Sequence, residues 1–193
     1  MPCIIACDDG YVSKVGTAEK GFTLVGCMLY KDLTPLDIGF SILRVDGLNA
    51  SSIISGLAIS LMEDREKCVN EKPIVLLDTI IFAGFNIVSI GLIKYLTEMD
   101  VVAFYPYKPN TGLLVETVAK HLDFPYLRSK LIKNQLKKLI ELNTNKGTSY
   151  IVSTISDKSL IKRLIEFYQV YTRSLEPLRA IHMITSSLSR LFC

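Results

Sequence analysis

Pro73-Ile74-Val75-Leu76-Leu77-Asp78-Thr79-Ile80-Ile81-Phe82-Ala83-Gly84-Phe85-Asn86 is the stretch on which the fold turns. With the residues that follow, its apolar run extends to Ile93 and approaches the length of a membrane span. Asp78 lies inside that run, where a charge costs about 2.5–3.5 kcal/mol at a bilayer centre. Ala83-Gly84-Phe85-Asn86 reads as a turn that divides a short strand from a helix. The stretch is therefore buried core. Ile74–Leu77, introduced by Lys72-Pro73, has no polar face, as expected of a central strand covered on both sides. A helix from about Ile87 to Thr97 follows.

Working outward, Cys3–Cys7 is a second short apolar strand, ended by Asp8-Asp9-Gly10. Phe22–Tyr30 is rich in β-formers, and Leu36–Val45 alternates Ile38, Phe40, Ile42 and Arg44 before Asp46-Gly47. Short links between these strands favour an antiparallel meander. Asn49 is placed to cap a helix through Met62, with Ile53, Ile54, Leu57 and Leu61 on one face. Downstream come a strand at Val101–Tyr105, helices at Thr111–His121 and Arg128–Ile140, and a strand candidate at Tyr150–Val152. Helices near Lys158–Tyr168 and Glu176–Arg190 complete the pattern. Strands joined first by hairpins and then by helices predict an α/β fold: three antiparallel strands, then parallel strands, with helices on both faces. With no repeat or linker, residues 1–193 are expected to form a single domain.

Of the 193 residues, 49% are hydrophobic and 21% charged, which excludes a disordered chain. The net charge of +3 is compatible with a DNA or RNA partner without requiring one. No signal peptide or membrane span is read, so a cytoplasmic protein is expected; oligomeric state is not legible. The five cysteines are odd in number, contain no C-x-x-C and accompany only two histidines, which argues against a zinc site or a secreted disulfide framework. They are read as buried thiols in a reducing compartment, with the intracellular disulfides of hyperthermophiles as the open exception.

Asp8 and Asp78 each end a short, wholly apolar strand. If those strands are central neighbours, both carboxylates meet at the sheet edge where ligands of open α/β sheets gather. Hard oxygen ligands there suit Mg²⁺ or Mn²⁺. The competing reading is that each Asp only starts a turn.

The stretch 73–86 closely resembles the signature block of an uncharacterised, chiefly archaeal family, domain of unknown function ninety-nine. Ser174-Leu175-Glu176-Pro177-Leu178-Arg179-Ala180-Ile181-His182 resembles the same family's C-terminal block, and Asp8-Asp9-Gly10 and Val45-Asp46-Gly47 match two further features. That family in turn resembles endonuclease V, a metal-dependent enzyme that cuts nucleic acid near deaminated bases. The resemblance implies a ribonuclease H-like fold. It also implies Asp8 and Asp78 as metal ligands with Asp9 or Asp46 as a third acid, and Lys108 as the active-site lysine. Glu176-Pro177-x-Arg179 and His182 take the place of the family's C-terminal helix. In physical terms Lys108 would stabilise phosphate charge and His182 would position or deprotonate water. Lys108 reads equally as a solvated loop residue, His182 as a satisfied core histidine, and Arg179 as the partner of Glu176 at i,i+3.

Three departures matter. No Glu lies between Lys31 and Met62, where endonuclease V has its middle acid; its Pro-Tyr-Ile-Pro wedge has no counterpart; and Thr79 stands where glycine is usual. The basic run carrying Lys130, Lys133 and Lys137 can follow a phosphate backbone or simply form a solvated face. Two functions follow: a divalent-metal-dependent nucleic-acid phosphodiester hydrolase, or a non-catalytic nucleic-acid-binding or protein-interaction module on the same fold. The missing Glu favours the second, and the retained Asp, Lys and His favour the first.

Overall fold

A computed structural model describes residues 1–12, 21–62, 68 and 72–192. In chain order the elements are β1 (Ile4–Asp9), β2 (Phe22–Lys31), β3 (Thr34–Arg44), α1 (Ala50–Ser60) and β4 (Ile74–Leu77). Next come the short pair β5 (Ile81–Phe82) and β6 (Asn86–Ile87), then α2 (Ile90–Thr97), β7 (Asp100–Tyr105), α3 (Thr111–His121) and α4 (Pro125–Leu136). The hairpin β8 (Ile140–Thr144) and β9 (Gly147–Ser153), α5 (Lys158–Tyr168) and α6 (Glu176–Phe192) follow.

One seven-stranded sheet has the order β3-β2-β1-β4-β7-β9-β8. β1, β2 and β3 are antiparallel neighbours, whereas β1, β4 and β7 run parallel, so the meander and the parallel strands fall where the sequence predicts them. β9 returns antiparallel to β7 and β8 closes the far edge. The central strands are apolar throughout because both faces are covered. Alternate residues Ile5, Cys7, Val75, Leu77, Val101 and Ala103 pack with α1, α2, α3 and α4. Ile4, Ala6, Ile74, Leu76, Val102 and Phe104 pack with α5 and α6. Helices thus lie on both faces, and the parallel strands β1, β4 and β7 deliver their carboxyl ends to one rim.

Several local expectations are corrected. The helix expected to run to Ile140 stops at Leu136, because Ile140 and Leu142 pair with β9 across a turn closed at Gly147. α2 begins at Ile90, capped by the Ser89 hydroxyl, with β6 before it. Asn49 makes no side-chain cap to α1; its Oδ1 accepts from Asn86 Nδ2 at 3.0 Å. Ile38, Phe40 and Ile42 alternate as read, but edge strand β3 leaves them 36%, 37% and 62% exposed. The cysteine reading is overturned most clearly. Cys3 is bridged to Cys68 and Cys7 to Cys27, the latter pair directly opposite each other in the β1–β2 register. Adjacent strands bring the Cys7 and Cys27 sulfurs into contact whatever their spacing in sequence, so the reading of free buried thiols fails for these four cysteines.

Candidate active site

Asp8 and Asp9 close β1, and Asp78 follows β4 immediately. Because those strands are parallel neighbours, all three carboxylates reach the same rim. α6 packs across β1 and β2 and brings His182 over them: its Nδ1 lies 2.8 Å from Asp8 Oδ2. One turn later the Thr185 hydroxyl donates to the Asp9 carbonyl at 3.0 Å, which fixes the helix on the strand end. Asp8 Oδ1 accepts the Asp9 N–H at 2.8 Å.

The electrostatics of this group are unusual. Burial, and then the Asp78 charge, hold the Asp8 carboxyl above the ordinary range in spite of the His182 contact. Burial and the neighbouring Asp8 push Asp9 up to about 7. Asp78 is raised by burial and by Asp9, against the opposing pull of His182. His182 is raised in turn, first by its hydrogen bond to Asp8. Among the described residues, the three acids thus share a desolvated rim with the exposed His182 imidazole as their counter-charge.

Hard oxygen donors under mutual repulsion are the chemistry a divalent cation relieves, and the donor set fits such an ion. Among the described residues, no three His, Cys, Asp or Glu side chains stand ready as a metal cage. Asp8 is only 3% exposed and lies under the His182 ring, whose side chain is 60% exposed. Asp78 is the more open acid. For Asp8 to serve as a metal ligand, the His182 ring would have to share or yield its place there.

Lys108 lies in the exposed segment after β7, at the same rim, and makes no hydrogen bond or ion pair among the described residues. Arg179 donates to Glu176 Oε2 at 3.3 Å, as the fold-serving reading anticipates. Lys130 and Lys133 on α4 and Lys137 at its C-cap are all exposed. Asp46 is not among the charges acting on Asp8, Asp9 or Asp78. Its Oδ1 accepts the Phe85 N–H at 2.8 Å, and its own N–H donates to the Ala83 carbonyl at 2.8 Å.

That turn explains much of the signature block. Ala83 and Gly84 both have positive φ, at 43° and 78°. A Cβ at Gly84 would lie 2.5 Å from Asp46 Oδ1, so glycine is required there on two counts. The Ala83 N–H donates to Asp9 Oδ2 at 2.6 Å. The turn is thus held between Asp9 and Asp46, each accepting a backbone N–H. Thr79, by contrast, is outside the positive-φ positions, and its hydroxyl accepts the Ile81 N–H at 3.2 Å.

Arg128 was missed in the sequence because it begins a basic run. It is 2% exposed, and its guanidinium donates to the carbonyls of Asp46 (2.6 Å), Gly47 (3.0 Å), Phe85 and Asp123 (2.8 Å). It ties α4 to both sides of the turn that Asp9 holds. The one available signal was its isolation from the Lys spacing of the outer face.

A family model described as endonuclease dU matches residues 3–189. The chain belongs to the endonuclease dU family. A "UPF0215 protein" of Aeropyrum pernix is 33% identical over 188 residues, which cover 96% of this chain and 97% of that relative. A crystal structure of a protein of unknown function from Archaeoglobus fulgidus superposes with a TM-score of 0.78 at 18% identity, over 97% of this chain and 98% of that one. Endonuclease V of Ciona intestinalis, solved with a 24mer DNA containing an inosine followed by a ribo-adenosine, gives a TM-score of 0.55 at 10% identity, over 99% of this chain and 85% of that one. At those identities the likeness is one of fold, and this endonuclease dU family member has the ribonuclease H-like sheet that endonuclease V carries.

Proposed function

We propose that this protein is a divalent-metal-dependent endonuclease on nucleic acid bearing a deaminated base, with the dU of the family's name read as deoxyuridine. The observation that carries the reading is the meeting of Asp8, Asp9, Asp78 and His182 at one rim, where three acids crowd together although their charges repel. Such crowding costs stability and is retained where it serves chemistry. Asp8 and Asp78 would hold the ion, with Asp9 as the third acid. Bound Mg²⁺ or Mn²⁺ supplies Lewis acidity at a phosphodiester oxygen.

The chain's own residues do the rest. Asp8 fixes the His182 ring through Nδ1 and raises its basicity, which leaves Nε2 to take a proton from attacking water. Asp9 is oriented by the Ala83 N–H, so its carboxylate keeps one direction. Lys108 supplies positive charge for the phosphate from the loop after β7. The endonuclease V likeness, whose solved complex contains DNA, supports nucleic acid as the partner.

The non-catalytic binding module remains the second reading, favoured by the lack of a ready three-residue cage among the described residues. The deciding experiment incubates the protein and Mn²⁺ with single-stranded, mismatched, inosine-containing and deoxyuridine-containing DNA and RNA. Strand scission that EDTA and Asp78→Asn both abolish supports the nuclease. Binding of these strands without scission supports the module.

A further inference from the structure

Three tyrosines each carry a cation over the ring. Arg190 Cζ lies 5.2 Å from the Tyr11 centroid, Arg173 Cζ 5.1 Å from that of Tyr107, and Lys130 Nζ 5.8 Å from that of Tyr126. Their number is ordinary, since such pairs occur about once per 70–80 residues. Their placement is not. Tyr11 follows β1 by two residues and Tyr107 follows β7 by two, so they flank Asp78 at the end of β4 between them. Tyr126 lies in the first turn of α4, two residues from the buried Arg128 and therefore on the helix's opposite, outer face. The Tyr11 and Tyr107 pairs thus bracket the acid rim, and the Tyr126 pair stands apart from it on the outside of α4.

The rings are also presented outward. Tyr11, Tyr107 and Tyr126 are 44%, 71% and 79% exposed, although large aromatic faces gain more from burial. Nor are the two flanking pairs loosely attached. The Tyr11 backbone is fixed by its N–H to Ser189 Oγ at 2.7 Å and by its carbonyl, which accepts from Thr23 Oγ1 at 2.9 Å. Arg173 is anchored through its carbonyl to Gln169 Nε2 at 2.6 Å, and its guanidinium occupies space that a Cβ on Gly147 would invade at 2.8 Å.

We infer that Tyr11–Arg190 and Tyr107–Arg173 form a stacking surface for unpaired nucleobases, gripping single-stranded nucleic acid on both sides of the acid rim. Each cation covers one face of its ring, which leaves the opposite face to stack on any base while the cation meets the phosphate that accompanies it. Duplex DNA, with its bases already stacked, cannot use these rings. The inference deepens the nuclease reading and rests on it for the identity of the strand to be cut, but binding is measurable alone.

The test is fluorescence anisotropy in EDTA with a labelled oligothymidylate of about 12 nucleotides and a matching duplex. Wild type is expected to prefer the single strand. Tyr11→Leu and Tyr107→Leu each weaken single-strand binding at least about fivefold, whereas Tyr11→Phe and Tyr107→Phe, which keep the ring, stay within about twofold. Arg173→Gln and Arg190→Gln each lower the salt slope of log affinity by about 0.7. Leucine variants that bind like wild type, or a duplex bound as tightly as the single strand, overturn the inference. Mn²⁺-dependent scission is read separately. Ring-dependent binding without scission sinks the nuclease and leaves the surface standing. Scission and binding indifferent to both leucines sink the surface and leave the nuclease.

Discussion

His182 and Asp8, 174 positions apart in the chain, face each other across 2.8 Å between Nδ1 and Oδ2. The contact joins the most exposed member of the rim to the least exposed. His182→Gln removes the ring nitrogen that would accept a proton and leaves Asp8 without its counter-charge. We expect scission to fall by about 10²–10⁴-fold, the range for a lost general base, and the dependence of rate on pH around neutrality to flatten. Single-turnover rates across pH check this; a variant with the wild-type pH profile would show the histidine to be structural.

The metal-free protein should become more stable as pH falls from about 7 toward 4. Asp9 has its folded pKa raised to about 7, above its ordinary value, so the folded state binds the proton more tightly than the unfolded state in that window. Stability therefore declines as pH rises through it. His182, raised by Asp8, acts in the same direction: its contribution is present below its unfolded pKa and lost as pH rises through the folded one. Urea midpoints in EDTA at pH 5 and pH 7.5 measure the slope. A midpoint that rises with pH contradicts the crowded-acid account.

Arg128→Ala withdraws donors from four carbonyls at once, those of Asp46, Gly47, Phe85 and Asp123. Each buried acceptor left alone costs about 1–3 kcal/mol, and a loss of at least about 3 kcal/mol is expected in chemical denaturation. Arg128→Lys should recover little of it, because an ammonium cannot span the same fork of acceptors. Gly84→Ala is expected to cost about 1–2 kcal/mol from its left-handed φ alone, with Asp46 displaced besides. A fully stable Arg128→Ala would remove the clamp from the account.

Four of the five cysteines are paired in the structure, so denatured but unreduced protein should yield one free thiol per chain. The Cys3–Cys68 bridge spans 65 positions, for which loop-closure entropy predicts about 4 kcal/mol. Reductant should lower the Tm accordingly. Five thiols in the unreduced protein would restore the reading of buried free cysteines.

The sequence made the parallel core and the meander legible because Ile74–Leu77 and Cys3–Cys7 have no polar position, and that holds only where both sheet faces are covered. The same pattern put Asp8 and Asp78 at strand ends, whereas His182 was singled out only by the resemblance of its block. The disulfides were not, since pairing Cys7 with Cys27 depends on strand register rather than spacing. β8 was hidden because Ile140 and Leu142 continue the apolar rhythm of the preceding helix. The resemblance left Asp46 open as a third acid, and the turn geometry shows its carboxylate accepting from the Phe85 N–H. Arg128 was lost among lysines whose side chains point to water.

Isothermal titration of the metal-free protein with Mn²⁺ tests the central claim directly, comparing wild type with Asp78→Asn at a pH above 7. The account predicts saturable binding by wild type with release of protons from the rim, and its loss in the variant without loss of fold. Wild type that takes up no Mn²⁺ at millimolar concentration, or a variant that binds as wild type does, contradicts it.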